Sequence, residues 1–147
     1  MNEHAVDFGI DRMAALLAEV FAPWVQDLGL RPVSAAPDGA RFVMPANPRL
    51  ARAGGAGPGV ICGQALASAA DIASVVALSC LNGRFRNCTT VDLTTHFLRP
   101  LPVADVEIDV AALSNGRRMA TTRVEIRAVG AAKLAASATC AFAYLED

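Results

Sequence analysis

Asp71 is the only charged residue between Val60 and Leu81, a stretch otherwise built from Ala, Val, Leu, Ile, Ser, Gly, Cys and one Gln. A carboxylate in apolar surroundings needs a partner, because burying it alone is costly or raises its pKa. Two roles fit: a structural carboxylate held by a hydroxyl or an Arg, or a general base or nucleophile in a cleft. Gly63 lies eight residues earlier, at the start of the same stretch. There the free N–H groups and positive dipole of a helix end favour an oxyanion. The plainer reading of Gly63 is close backbone approach. Gln64 beside it carries an amide that can aim at a carbonyl, fix a water, or simply face solvent. Thr90 can hydrogen-bond a water or Asp71, although Thr is also an ordinary strand residue. Cys62 precedes Gly63 at the helix start, a position where a thiol could serve as a nucleophile. With no His close by in the sequence to serve as its base, packing is the simpler role. His96 reads as a surface or subunit-contact residue.

The elements that must position these groups follow from periodicity. Asp7 to Leu28 reads as helical, with Phe8, Met13, Leu16, Leu17, Val20 and Phe21 on one face. Asp7 is a candidate N-cap, and Pro23 bends or restarts the helix. Two short strands flank Pro37-Asp38-Gly39 between Leu30 and Pro45. The Gly-rich run 53–59 belongs to a loop. A helix spans about 61–81, apolar on most faces and hence buried on most of them, and ends at Asn82-Gly83. The period then changes to two. Thr90 to Leu98 places Val91, Leu93 and Phe97 on one side and Asp92, Thr94 and His96 on the other. Val106, Ile108 and Val110 alternate with acids, and Val124 and Ile126 alternate with Arg123, Glu125 and Arg127. Leu134 to Leu145 is a last strand, whose small residues Ala135, Ser137, Thr139, Ala141 and Ala143 would face outward. At Asn115-Gly116, a two-residue turn would mix charge with core residues. A three-residue loop or a bulge, pairing Ile108 with Val124 and Asp109 with Arg123, restores the faces.

A helix followed by strands, a long buried helix and four hairpin-linked strands is an α+β order, not a parallel βαβ one. The fold expected is a curved antiparallel sheet wrapped around the long helix, in one domain over 1–147. The N-terminal helix would cover about 7–28 and the core about 30–145.

Composition excludes several classes. Hydrophobic residues make up 54% and charged residues 18%, which argues against disorder and for surface hidden in an oligomer. A net charge of −1 excludes a nucleic-acid binder driven by bulk positive charge. The long apolar stretch is nearly long enough to cross a bilayer. A central Asp is costly in lipid, so a core helix and no membrane association are expected. Cys62, Cys80, Cys88 and Cys140 lack metal-knuckle spacing, and no metal is expected. The N-terminal sequence has no secretory pattern, so a cytoplasmic protein with reduced thiols is the expectation.

The run Gly59-Val60-Ile61-Cys62-Gly63-Gln64, with Asp71 on the same helix, is followed by Thr89-Thr90-Val91-Asp92-Leu93-Thr94-Thr95-His96-Phe97-Leu98-Arg99-Pro100. Asn115-Gly116-Arg117-Arg118 and Lys133-Leu134-Ala135-Ala136 come later. This ordered set resembles hotdog-fold acyl-CoA thioesterases of the phenylacetate-pathway (PaaI-like) family over about residues 30 to 145. The family's usual His-Gly-Gly at the helix start falls on Cys62, Gly63 and Gln64. Its acidic residue falls on Asp71 and its strand-start Ser or Thr on Thr90. An Asn common in the family falls at Ala56, and Asn47 is the nearest Asn.

The resemblance implies hydrolysis of a small aryl- or acyl-CoA thioester. Asp71 would be base or nucleophile, Gly63 the oxyanion donor, and Gln64 and Thr90 supporting groups. Cys62 and Thr89 would line the substrate site. Arg99, Arg117 and Arg118, along with Arg84 and Arg86, are candidates for the phosphates of coenzyme A. No cofactor is implied beyond the coenzyme A of the substrate. Eight residues on one helix separate Gly63 from Asp71 by about 12 Å, too far to share one carbonyl. A two-fold homodimer with antiparallel long helices would bring Gly63 of one subunit to Asp71 of the other. The small outward residues of the last strand would then let dimers pair face to face. A different class also fits, a non-catalytic acyl-CoA or lipid-binding dimer, because Cys62 and Gln64 replace the family's His and second Gly. A hydratase on the same fold would need a helix-region His that this chain lacks.

Overall fold

In the computed structural model, which describes residues 8–55, 57 and 59–146, ten elements follow the expected order. They are α1 (Ile10–Glu19), α2 (Pro23–Gln26), β1 (Arg31–Ala36), β2 (Gly39–Met44), a 3-10 turn (Pro48–Leu50), α3 (Gly63–Asn82), β3 (Cys88–Phe97), β4 (Val106–Asn115), β5 (Met119–Ala128) and β6 (Ala136–Tyr144). The predicted N-terminal helix is two helices. Pro23 occupies the first turn of α2, where its missing N–H costs nothing. Asp7, the expected N-cap, lies outside the described residues, and Gly9 fills that position. Helix α3 ends at Gly83, whose φ of 69° is the left-handed cap that glycine adopts without strain.

All six strands form one antiparallel sheet in the order β1-β2-β4-β5-β6-β3, and α3 lies across its inner face. Phe42, Met44, Ile108, Val124, Ile126 and Phe142 from the sheet are fully buried, as are Ala69, Ala70, Ala73 and Val76 of the helix. Small helix residues against large strand residues let the axis approach the sheet closely. Gly39 is required for a similar reason, since a Cβ there would fall 1.8 Å from the Val110 carbonyl oxygen.

Three expectations are corrected. The β4–β5 turn sits at Arg117-Arg118, not at Asn115-Gly116. The Gly116 N–H donates to the Met119 carbonyl at 2.8 Å and closes a two-residue turn. Ile108 therefore opposes Ile126, Val110 opposes Val124 and Asp109 opposes Glu125. A shift of two residues preserves which side chains face the core, so the hydrophobic pattern does not distinguish these registers. The like charges placed opposite each other are offset by Arg41 on Asp109 (2.6 Å) and Arg127 on Glu125 (3.1 Å). The expected bulge is present, between Ala112 and Ser114.

A second bulge, between Thr90 and Asp92, takes Val91 out of phase. Thr90, opposite Phe142, then shares the inner face with Leu93, opposite Cys140. Finally, Ala135 is buried and precedes β6, so Ser137, Thr139, Ala141 and Ala143 alone carry the outward small-residue stripe.

Candidate active site

Helix α3 is not closed on all sides. Gln64 is exposed, and Ala67, Ser68, Asp71 and Val75 are half-buried, while the residues between them are buried. Positions 64, 68, 71 and 75 fall on one face of a 3.6-residue repeat. This stripe places Asp71 beside β3 and Gln64 and Ser68 beside Trp24 and Leu28. The long apolar helix is therefore the core helix of a sheet-wrapped fold, with 61% of its most apolar window buried.

Asp71 lies midway along the stripe. Its Oδ1 accepts a hydrogen bond from Thr90 Oγ1 at 2.6 Å. The bulge at Val91 turns Thr90 inward and makes this contact. One carboxylate oxygen is thus oriented by the strand, and Oδ2 is left for another partner. Cys88, two residues before Thr90, is half-buried. Burial, and then the Asp71 charge, hold its thiol above the ordinary value against the opposing pull of Arg86. That shift disfavours the thiolate form of this neighbour of the acid.

Gly63, Gln64 and Cys62 gather at the other end of the stripe. Cys62 is the N-cap, half-buried, and no side chain caps the helix there. Gly63 is the first helical residue, so its N–H has no intrahelical partner. The Phe97 ring covers it, and a Cβ at Gly63 would come within 3.0 Å of that ring. Arg99 borders the same hollow of about 400 Å³, and its Nη1 donates to the Leu134 carbonyl at 2.8 Å.

A second hollow of about 370 Å³ opens beside Cys62 and Gln64 and is lined by Trp24, Leu28, Asn47 and Ser68 among others. Asn47 is fixed there, accepting from the Arg49 N–H at 3.0 Å and donating to the Asp27 carbonyl at 3.1 Å. Ala56 lies outside the described residues.

Thr89 is exposed on the outer face beside Thr90, and His96 is exposed farther along β3. Arg117 and Arg118 stand at the β4–β5 turn with Arg86, apart from the Gly63 end. The structure thus joins Asp71 to Thr90 and Gly63 to Gln64, Cys62 and Arg99. Within one chain it leaves these two groups about 12 Å apart. Sequence reading missed Ser68 and Trp24 as site residues. The i, i+4, i+7 spacing of Gln64, Ser68 and Asp71 is the signal that locates Ser68, whereas nothing local marks Trp24. Among the described residues no group of three His, Cys, Asp or Glu is placed to hold a metal.

The sequence profile of the thioesterase superfamily matches residues 58–135, just over half of the chain, and the chain belongs to that superfamily. No curated protein matches the sequence. Among solved structures it is similar to the conserved protein PA5202 of Pseudomonas aeruginosa, at 27% identity and a TM-score of 0.74 over 87% of this chain and 98% of that one. A variant of the phenylacetic acid degradation protein PaaI of Thermus thermophilus is 26% identical, with a TM-score of 0.70 over 84% of this chain and 100% of its own. Thioesterase HI1161 of Haemophilus influenzae, 18% identical over 93% of this chain and 90% of its own, has the same fold with a TM-score of 0.79. The architecture is the hotdog fold.

Proposed function

We propose that the protein is a cytoplasmic acyl-CoA thioesterase acting on small aryl or acyl groups, in the manner of the PaaI-like enzymes, with two sites shared across a homodimer. The observation that carries this reading is the Thr90–Asp71 hydrogen bond on the open stripe of α3. The carboxylate is oriented by a strand hydroxyl on the half-buried face of the core helix.

The chemistry divides between two subunits. Gly63 of one subunit, and the Gln64 amide beside it, donate to the thioester oxygen as it becomes an oxyanion. Asp71 of the other takes a proton from water as that water adds to the carbonyl. Collapse of the tetrahedral species expels the thiolate of coenzyme A, which then takes up a proton. In the nucleophilic variant Asp71 attacks the carbonyl, coenzyme A leaves, and water cleaves the resulting anhydride. Either route uses the Asp71 carboxylate, the Gly63 N–H, the Gln64 amide and water. Cys62 and the hollow beside it receive the acyl group. Thr89, Arg99, Arg117 and Arg118 lie along the coenzyme A portion.

The test is thiol release from short, long and aryl acyl-CoAs by wild type and Asp71→Asn. Hydrolysis by wild type that disappears in the variant supports the enzyme. Saturable binding without turnover by wild type supports an acyl-CoA-binding dimer instead.

A further inference from the structure

Trp24 is the single tryptophan of the chain, and it is 54% exposed. Its neighbours Val25 and Leu28 are buried, so α2 packs its smaller apolar side chains and leaves its largest one out. One exposed apolar side chain is ordinary by itself. Trp24 differs in two respects. It borders the hollow of about 370 Å³ beside Cys62 and Gln64, and the helix that carries it is tied down on both sides.

A helix of four residues has too few hydrogen bonds of its own to hold a side chain in place. The Gln26 side chain donates to the Leu17 carbonyl and fixes α2 to α1. On the other side Asn47 Nδ2 donates to the Asp27 carbonyl, and Asn47 Oδ1 accepts from the Arg49 N–H of the 3-10 turn. The same turn reaches α3, because the Cys62 N–H donates to the Leu50 carbonyl at 2.8 Å. A run of hydrogen bonds through Asn47 thus sets the end of α2 relative to the start of α3, where Gly63 lies. Trp24, Gln26 and Asn47 all precede residue 58, where the superfamily match begins, so that match assigns them nothing.

We infer that Trp24 is a specificity-determining residue, a fixed aromatic wall that favours flat acyl groups over flexible chains of similar size, and that Asn47 is the positioning residue that holds it. The identity of the ligand rests on the thioesterase reading. A flat conjugated group stacks on an indole and has few rotations to lose. A flexible chain of equal carbon count gives up several rotations for a looser contact. The wall also has to stand at a set distance from the Gly63 N–H. If it shifts, an acyl group seated on Trp24 no longer presents its carbonyl to that donor. Asn47 therefore acts through Trp24, and only on substrates that use the wall.

Thiol release from benzoyl-CoA and heptanoyl-CoA, whose acyl groups have equal carbon counts, tests this. Trp24→Ala should lower kcat/KM for benzoyl-CoA about two- to tenfold and leave heptanoyl-CoA within about twofold. Trp24→Phe should keep most of the preference. Asn47→Asp retains the acceptor for Arg49 but loses the donor to Asp27, and should lower kcat for benzoyl-CoA selectively. With Trp24→Ala already present, Asn47→Asp should change the preference no further. The lone indole gives a second reading that needs no turnover. In Asp71→Asn, benzoyl-CoA should change the tryptophan emission saturably and at lower concentration than heptanoyl-CoA. Coenzyme A alone should leave the emission unchanged. The inference is overturned if Trp24→Ala affects both substrates equally, if it only raises activity on heptanoyl-CoA, or if benzoyl-CoA leaves the emission unchanged. Turnover by wild type with an unaltered preference in Trp24→Ala sinks the aromatic wall alone. Selective emission changes without any turnover by wild type keep the wall and sink the hydrolase reading.

Discussion

Asp71, Thr90 and Gly63 each make a prediction that a merely structural role would not. Asp71→Asn keeps the size and the Thr90 contact but removes the proposed base, and should lower kcat by about 100-fold or more. Thr90→Val deletes the 2.6 Å bond and should cost about tenfold, the scale of a hydrogen bond to a charged group. Gly63 allows a sharper separation. It is the first helical residue, and Cys62 before it has φ −67° and ψ 146°, the conformation a following proline requires. Gly63→Pro should therefore leave α3 intact while deleting the N–H, with a loss of about 100-fold in kcat. Gly63→Ala adds the same crowding against Phe97 but retains the donor, and should keep most of the activity. Asp71 was legible in the sequence because one charge in a long apolar run requires an explanation. Its partner was not fixed there, because the contact depends on a bulge at Val91 that no local residue announces.

Among the elements, α3 against β5 carries a buried polar pair that can be tested. Ser74 Oγ and Thr122 Oγ1 are 2.8 Å apart and both residues are fully buried. Ser74→Ala leaves the Thr122 hydroxyl with only the Cys140 thiol beside it and should cost about 1–3 kcal/mol in urea unfolding. Ser74→Ala combined with Thr122→Val removes both polar groups and should recover much of that loss. The helix and all six strands were readable from the change in period at Asn82-Gly83 and from the alternating runs. Register was not, because Ile108 reaches the core whether it faces Val124 or Ile126. The Arg117-Arg118 turn and the charges of Arg41 and Arg127 settle it, and these act across strands. The stripe through Gln64, Ser68 and Asp71 was present in the spacing. Its partial exposure appears only in the fold.

At the scale of the molecule, the sheet ends in an apolar edge. Val91 is 53% exposed, Phe97 56% and Leu98 52%. An uncovered edge strand with such side chains invites pairing, and the open stripe of α3 lies beside it. The protein in solution should therefore have twice the 15.3 kDa mass of its chain by light scattering. Leu93→Lys, which puts a charge on this edge, should halve that mass and abolish turnover together. A monomer that retains full activity would contradict the shared site. The most direct test of the sharing mixes two inactive proteins, Asp71→Asn and Gly63→Pro, unfolds them together and refolds them. A hybrid dimer then contains one site with an intact Asp71 from the second chain and an intact Gly63 from the first. Thiol release should return to roughly a quarter of the wild-type rate, the share expected if half the dimers are hybrids with one working site each. Refolded hybrids that stay as inactive as either parent would place both groups of each site in a single chain and contradict the account.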